Sequence, residues 1–231
     1  MNVFLIPVFN EIDFLSKVIL SIDKISDKNS IKIFVDDGSL DGSFEYLQSL
    51  HRKDFHILKN NKNYGMGKAL KKGFDYILKN NSIKDDCKII TVDGDDQHDV
   101  SDLNDYLKFF DKKNLDVMIM RRKFDKYPFY KKTGNFLLSK ITSFITGYKF
   151  YDVESGFRIF HKKDLGLLIK YYRGYRYSCA QEIAVIFAMS SKKINNNVFC
   201  DIKHYRSNTS YFDFIINIAV AIITYYRMKK F

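Results

Sequence analysis

Residues 89–99, IITVDGDDQHD, run from β-forming residues into a turn that carries Asp93, Asp95, Gln97 and His98. Oxygen donors on three alternate residues suit a hard divalent cation, because Mg²⁺ and Mn²⁺ take carboxylate and amide oxygens and complete their shell with water and substrate phosphate. The spacing points to a metal that holds a diphosphate. Asp and Gly are also ordinary turn formers, so the same residues would serve a plain strand-to-loop turn. Two more polar clusters close predicted strands upstream: FLIPVFNE at residues 4–11, with Pro7, Asn10 and Glu11, and IFVDDGSLDGS at residues 33–43, with Asp36, Asp37 and Asp41. A glycine-bearing loop, NYGMGKA at residues 63–69, supplies Gly65, Gly67 and Lys68.

Strand-like runs near residues 3–6, 31–35, 55–58, 88–92 and 116–120 alternate with helix-like stretches near 11–25, 42–50, 67–78 and 101–110. In the first helix Leu15, Val18, Ile19 and Ile22 recur at three- and four-residue spacing. Such alternation predicts an α/β protein with a mostly parallel sheet flanked by helices on both faces. Ligands of such sheets sit beyond the carboxyl ends of the strands, where all three polar clusters fall. No G-x-G-x-x-G turn follows the first strand, which argues against a dinucleotide-binding enzyme.

A chain of 231 residues without a Pro/Gly/Ser-rich linker reads as one domain, here residues 1–211, followed by an apolar helix at 212–231. The net charge of +11 favours an anionic partner. Nucleic acid is disfavoured, since the cations are scattered and no nucleic-acid motif is present. Cys87, Cys179 and Cys200 are odd in number and widely spaced, which implies a reduced cytosolic location rather than a disulfide or zinc framework. The opening MNVFLIPVFNE is cut by Pro7 and has no basic leader, so it reads as a first strand. No segment offers the roughly 18 uninterrupted apolar residues of a membrane span.

The Pro-x-x-Asn-Glu turn, the Asp-Asp-Gly-Ser turn, the glycine loop and the Asp-x-Asp-x-Gln turn, in this order, resemble the motif set of glycosyltransferase family 2. YDVESGFR at residues 151–158 is similar to the Asp-x-x-Ser-Gly-Phe-Arg element of one branch, the polyprenyl-phosphate sugar synthases typified by dolichol-phosphate mannose synthase. The resemblance spans roughly residues 3–210. It implies a GT-A fold and an inverting, metal-dependent transfer from a nucleotide diphosphate sugar to a polyprenyl phosphate at the inner membrane face. A saccharide or protein hydroxyl as acceptor, or a non-catalytic sugar-nucleotide-binding protein, are the competing readings.

The resemblance also assigns residues. Asp93, Asp95 and Gln97 would hold Mg²⁺ or Mn²⁺ against the donor diphosphate, with Asp95 indispensable to turnover. Pro7, Asn10, Glu11, Asp37, Gly65, Lys68 and Asp93 would form the nucleotide-sugar site. Arg121, Lys131, Lys132, Ser155 and Arg158 would take the acceptor phosphate, the firmest carry-over being Arg121, since Arg binds phosphate bidentately and Lys as a point charge. A phosphate acceptor is already ionised and needs no strong base; a hydroxyl acceptor would need one, Asp152 or else Glu182. His98 would support the turn, touch phosphate or lie on the surface, and Asp41 reads as a helix N-cap.

The tail, FDFIINIAVAIITYYRMKKF, is apolar around most of its circumference, with Asp213, Asn217 and Thr224 as a narrow polar stripe and Arg227, Lys229 and Lys230 at its close. Either a core helix or a helix lying in an anionic membrane interface fits that pattern.

Overall fold

The computed structural model describes residues 1–206 and 210–229. Seven strands form the main sheet: β1 Asn2–Val8, β2 Ile31–Asp36, β3 Phe55–Lys59, β4 Lys88–Thr91, β5 Val117–Ile119, β7 Arg158–His161 and β8 Ile194–Asn195. Their order is β3-β2-β1-β4-β7-β5-β8. Every neighbouring pair is parallel except the two made by β7, which runs antiparallel between β4 and β5. β6 Arg121–Arg122 and β9 Phe199–Cys200 make a separate two-stranded ladder. The helices are α1 Ile12–Ile25, α2 Ser43–Ser49, α3 Met66–Lys79, α4 Leu103–Lys112, α5 Phe129–Thr146, α6 Leu165–Tyr171, α7 Cys179–Met189 and α8 Tyr211–Lys229.

The sheet is buried on both faces, which is why its strands read as near-continuous apolar runs. Alternate residues of β1 divide between two cores. Val3 and Leu5 join Phe74 of α3 and Ile183 of α7, while Phe4, Ile6 and Val8 join Leu15 and Ile22 of α1 and Phe110 of α4. The expected five strands and first four helices are present, with boundaries differing by a residue or two. β7 was not anticipated, and it matters: it starts at the last residue of the YDVESGFR segment and runs between β4 and β5, pairing Arg158 with Thr91 on one side and Ile119 on the other.

α8 packs against α7 and α5. Its buried positions include the polar residues Asn217 and Thr224 beside Val220 and Ala221, whereas Phe212, Ile215, Ile216, Ile223 and Tyr226 are exposed. Arg227 turns inward, donating to the Tyr171 carbonyl and to Glu182 Oε1 at 3.0 Å. Of the expected basic close, Lys230 lies outside the described residues, as does Phe231.

Candidate functional site

β1, β2 and β4 are adjacent and parallel, so their carboxyl ends meet at the point where the strand order reverses. A cleft opens there. Pro7, Glu11, Asp37, Gly65, Asp93, Asp95 and Gln97 all line it, bringing four sequence-distant motifs together. Its other wall carries Arg122, Lys131, Glu154 and Arg158, with Arg176 and Arg206 nearby.

The turns behind the cleft are fastened to one another. Asn10, in the left-handed region at φ 55°, accepts the Leu40 N–H at 2.9 Å, while its own N–H donates to Ser39 Oγ. Asp41 accepts from Ile12 N–H and Ser43 N–H, each at 3.0 Å, and so ties the starts of α1 and α2 instead of capping one helix. Asn10 therefore shapes the floor without lining it. Asp37 is saturated in a similar way, accepting from Asn60 Nδ2 at 2.7 Å, Tyr64 N–H at 3.1 Å and Gly65 N–H at 2.6 Å. It holds the glycine loop against β2. Lys68, expected at the nucleotide, instead donates to the Arg173 carbonyl at 2.8 Å. That bond docks the loop at residues 173–177, which brings Arg176 to the cleft, and the approach is so close that a Cβ on Gly67 would fall 2.5 Å from the Gly174 carbonyl carbon.

Asp93 and Asp95 are held at the cleft centre. A Cβ on Gly156 would fall 2.4 Å from Asp93 Oδ1, so the Ser-Gly-Phe-Arg segment needs glycine where it crosses this carboxylate. Burial pushes both carboxyls up, and Asp95 is raised further by repulsion from Asp93. Two buried carboxylates that resist ionisation together are what a divalent cation would relieve. No group of three or more His, Cys, Asp or Glu able to hold a metal occurs among the described residues. The pair alone still suits Mg²⁺ or Mn²⁺, which bind through one or two carboxylates plus substrate phosphates and water.

Gln97 is engaged elsewhere. Its Oε1 accepts from Tyr127 O–H at 2.9 Å and its Nε2 donates to the Arg206 carbonyl at 2.8 Å, so the amide braces the turn. His98 is fully buried against Phe157, with Nδ1 3.6 Å from Asp93 Oδ2, and burial pushes its pKa down to about 4. The imidazole is neutral and supports Asp93 from below. It is neither exposed nor a cleft-lining group.

Two expectations move to neighbouring residues. Arg121 does not line the cleft: its guanidinium lies between the Tyr151 and Phe199 rings, 4.7 and 4.5 Å from their centroids. Arg122 faces the cleft instead. Asp152 is fully buried and grips Arg122 from two sides, accepting Nε at 2.8 Å and Nη2 at 2.9 Å, with the Asn135 amide oriented to donate to Oδ1 at 3.0 Å. It positions a cation and has no access to an acceptor. In this segment the carboxylate that does face the cleft is Glu154, whose carboxyl burial pushes up. Glu182 is likewise unavailable as a base, since its oxygens accept Arg173 N–H at 2.8 Å, Gly174 N–H at 2.9 Å and Arg227.

Lys131 lines the cleft; Lys132 and Ser155 do not, and Ser155 is fully buried. Arg158 is 1% exposed, and its Nε and Nη2 have no hydrogen-bond partner. Burial pushes this guanidinium below its ordinary range, with Asp93 partly offsetting the effect. The guanidinium therefore lines the cleft with two buried donors unused.

Arg206, which no motif flagged, pairs with Glu11 across the cleft mouth. Even so, burial pushes the Glu11 carboxyl up to about 7, aided by repulsion from Asp95 and Asp41. In the unfolded chain the group titrates near 4.5, so stability falls as pH rises from 4.5 to about 7 and stays reduced above that. Glu11→Gln should therefore stabilise the protein by about 1–2 kcal/mol at pH 8 and leave it unchanged near pH 4, as read by thermal melts at the two pH values. Destabilisation at pH 8 would show that the Arg206 pair outweighs the cost of burying the charge.

A mostly parallel sheet gathers paired carboxylates and several guanidinium groups around one cleft at its carboxyl edge. The model of glycosyl transferase family 2 matches residues 3–168, and the chain belongs to that family. It is a glycosyltransferase of GT-A fold. The glucosyl-3-phosphoglycerate synthase of Mycobacterium tuberculosis, solved with Mn²⁺, UDP and glucosyl-3-phosphoglycerate, superposes at a TM-score of 0.71 and 13% identity, covering 99% of this chain and 79% of that one. A mannosyltransferase from Pyrobaculum calidifontis in complex with GDP-mannose and Mn²⁺ gives 0.60 at 14% identity, covering 97% and 62%. In sequence, an uncharacterised protein of Methanocaldococcus jannaschii is 34% identical over 164 residues, 67% of this chain and 69% of its own length. The UDP-N-acetylglucosamine–dolichyl-phosphate N-acetylglucosaminyltransferase of Methanococcus voltae is 28% identical over 211 residues, 81% of this chain and 80% of its own.

Proposed function

We propose that this glycosyltransferase moves a sugar, with inversion, from a nucleoside diphosphate sugar to a polyprenyl phosphate while resting on the cytoplasmic face of a membrane. The observation that carries the reading is the Arg122–Asp152 pair. A guanidinium clamped by a buried carboxylate and aimed into the cleft beside Lys131 is a preorganised phosphate site facing Asp93 and Asp95. The Methanococcus voltae relative, named for a dolichyl-phosphate acceptor, supports the same assignment.

In this reading Asp93 and Asp95 would hold Mg²⁺ or Mn²⁺, which would neutralise the charge building on the leaving nucleoside diphosphate. Arg176 and Arg206 flank the donor side of the cleft, and Glu11 stands by for ribose or base hydroxyl and N–H groups. Arg122 and Lys131 orient the acceptor phosphate, whose second pKa of about 6 leaves an oxygen ionised at neutral pH and ready for in-line attack on the anomeric carbon. No proton need be removed. That fits a site in which Asp152 is occupied with Arg122.

Glu154 supports the second reading, a hydroxyl acceptor, because it is a cleft carboxylate beside Arg122 and Lys131, raised by burial and outside the Asp93–Asp95 pair, and so could take a proton. Incubation with UDP-N-acetylglucosamine, UDP-glucose or GDP-mannose, Mn²⁺ and either a prenyl phosphate or free sugars separates the two. Label should pass to an organic-extractable product only with prenyl phosphate; transfer to free sugars alone would establish the hydroxyl reading.

No helix among the described residues is long and apolar enough to cross a membrane. Peripheral attachment is supported by the net charge of +11 and by α8, which turns its polar stripe inward and leaves apolar residues outside.

A further inference from the structure

Helix α5 is oriented the reverse of a helix that only covers a core. Its buried residues are Asn135, Leu138, Ser139 and Thr142, three of the four polar. Phe129, Phe136 and Phe144 are 82%, 57% and 90% exposed. With Lys140 these rings recur at helical spacing and share one face. The polar face is used internally: Ser139 Oγ accepts Val153 N–H at 3.1 Å and Ser143 Oγ accepts Phe150 N–H at 2.8 Å, fixing the segment that carries Asp152. The aromatic face is left outside, and α8, which packs against α5, also leaves apolar residues exposed.

Against this face lies a second groove, apart from the cleft, lined by Arg121, Phe136, Lys140, Lys149, Phe150 and Tyr151 together with Ser139 and Ser143. No carboxylate lines it. Each of its cations rests on a ring: Arg121 between Tyr151 and Phe199, Lys140 5.4 Å from the Phe136 centroid and Lys149 5.0 Å from that of Tyr151. Cations carried on aromatic rings beside a protruding apolar face sit at the level where lipid phosphates meet acyl chains. Single-stranded nucleic acid would instead ask for a basic channel floored by stacking platforms, and here Phe129, Phe136 and Phe144 project outward from a helix face.

We propose that the groove of Arg121, Lys140 and Lys149 binds the phosphate headgroup of an anionic phospholipid in the bilayer, with Phe136 and Phe144 inserted beside it. It is a site separate from the acceptor cleft, and it sets how the enzyme sits on the membrane. The inference rests on the peripheral placement proposed above and not on which acceptor the cleft takes.

The test uses the full chain and vesicles of phosphatidylcholine and phosphatidylglycerol in about a three-to-one ratio, with pure phosphatidylcholine as reference. Lys140→Gln/Lys149→Gln is compared with Lys79→Gln/Lys84→Gln, an equal charge loss at the amino edge of the sheet. The groove pair should weaken partitioning into anionic vesicles about thirtyfold, the product of two lysines near a charged surface, and the control pair no more than about threefold. Phe136→Ser/Phe144→Ser, at two exposed positions, should weaken it as well. Equal losses for the two lysine pairs would overturn the site and leave a diffuse surface attraction, with the peripheral placement intact. Displacement by inorganic phosphate at matched ionic strength would make the groove a soluble-anion site, and a loss confined to RNA binding would make it a nucleic-acid surface; each overturns the proposal. Wild-type protein that ignores anionic vesicles would remove the placement and the site together.

Discussion

Asp95→Ala is expected to lower sugar transfer by about three orders of magnitude or more while the protein remains folded, because in the proposed reading it removes one of the two carboxylates that would hold a divalent cation at the leaving diphosphate. The structure separates loss of the ligand from loss of the fold. Asp95 is raised by burial and by Asp93, so in the metal-free protein it is a strained group whose removal relieves repulsion, at the cost of one hydrogen bond from Gln97 N–H at 3.0 Å. The variant should melt at or above the wild-type temperature without metal, and should lose the rise in melting temperature that Mn²⁺ with a nucleotide sugar produces in wild type. That rise should itself be larger at pH 7.5 than at pH 5.5, since protons compete for carboxylates whose pKa values are raised. A variant that keeps its Mn²⁺-dependent stabilisation, or wild type that works at full rate in chelator, would place the cation elsewhere or dispense with it.

The parts of this protein that were legible in the sequence are those set by local rules. A strand buried on both faces must be apolar throughout, and a helix on such a sheet must repeat its apolar residues every three or four positions, so β1, β2, β4, α1 and α3 could be located closely. The cleft followed, because the carboxyl ends of adjacent parallel strands can only converge. What stayed hidden depends on distance or on facing. Arg206 meets Glu11 across 195 residues, a pairing with no local trace. β7 is four residues long in a stretch without alternation, so neither its existence nor its direction could be read. The choice between Arg121 and Arg122 turned on parity: adjacent residues of an extended segment point to opposite sides, and the preceding residues 117–120 are all buried, which leaves no pattern to fix the phase. Asp152 was singled out for its chemistry, yet a carboxylate with no exposure and three nitrogen donors is committed to structure. For α8 a stripe of a few polar residues is visible in the amino acids, but the stripe alone does not say which face goes inward. Polar partners such as Ser178 Oγ, which donates to Asn217 Oδ1 at 2.7 Å, settle that question in the folded chain.

Arg122→Lys should raise KM for a short, water-soluble prenyl phosphate about ten- to a hundredfold and change KM for the nucleotide sugar no more than about threefold, because in the proposed arrangement the donor diphosphate would lie toward Asp95 and Arg206 while the acceptor phosphate would meet Arg122. Lysine is the informative replacement. Alanine would strand the fully buried Asp152 without its cation, a loss of about 3–5 kcal/mol that could unfold the protein and explain any inactivity trivially. Lysine keeps a positive charge near Asp152 but cannot reproduce the fork in which Nε and Nη2 each meet a carboxylate oxygen and Nη1 reaches Tyr127 O–H at 3.2 Å. Through that hydroxyl the Arg122 group touches Gln97 and hence the Asp95 turn, so kcat should fall as well, by about tenfold, from loosened alignment of the two reacting phosphates. Arg121→Ala should act on the same soluble acceptor far more weakly, since its guanidinium is packed between two rings outside the cleft. The reverse order, with Arg121 governing acceptor KM and Arg122 governing only stability, would return the acceptor site to the face of β6 that points away from Asp93 and would sink the cleft assignment built on Arg122, Lys131 and Arg158.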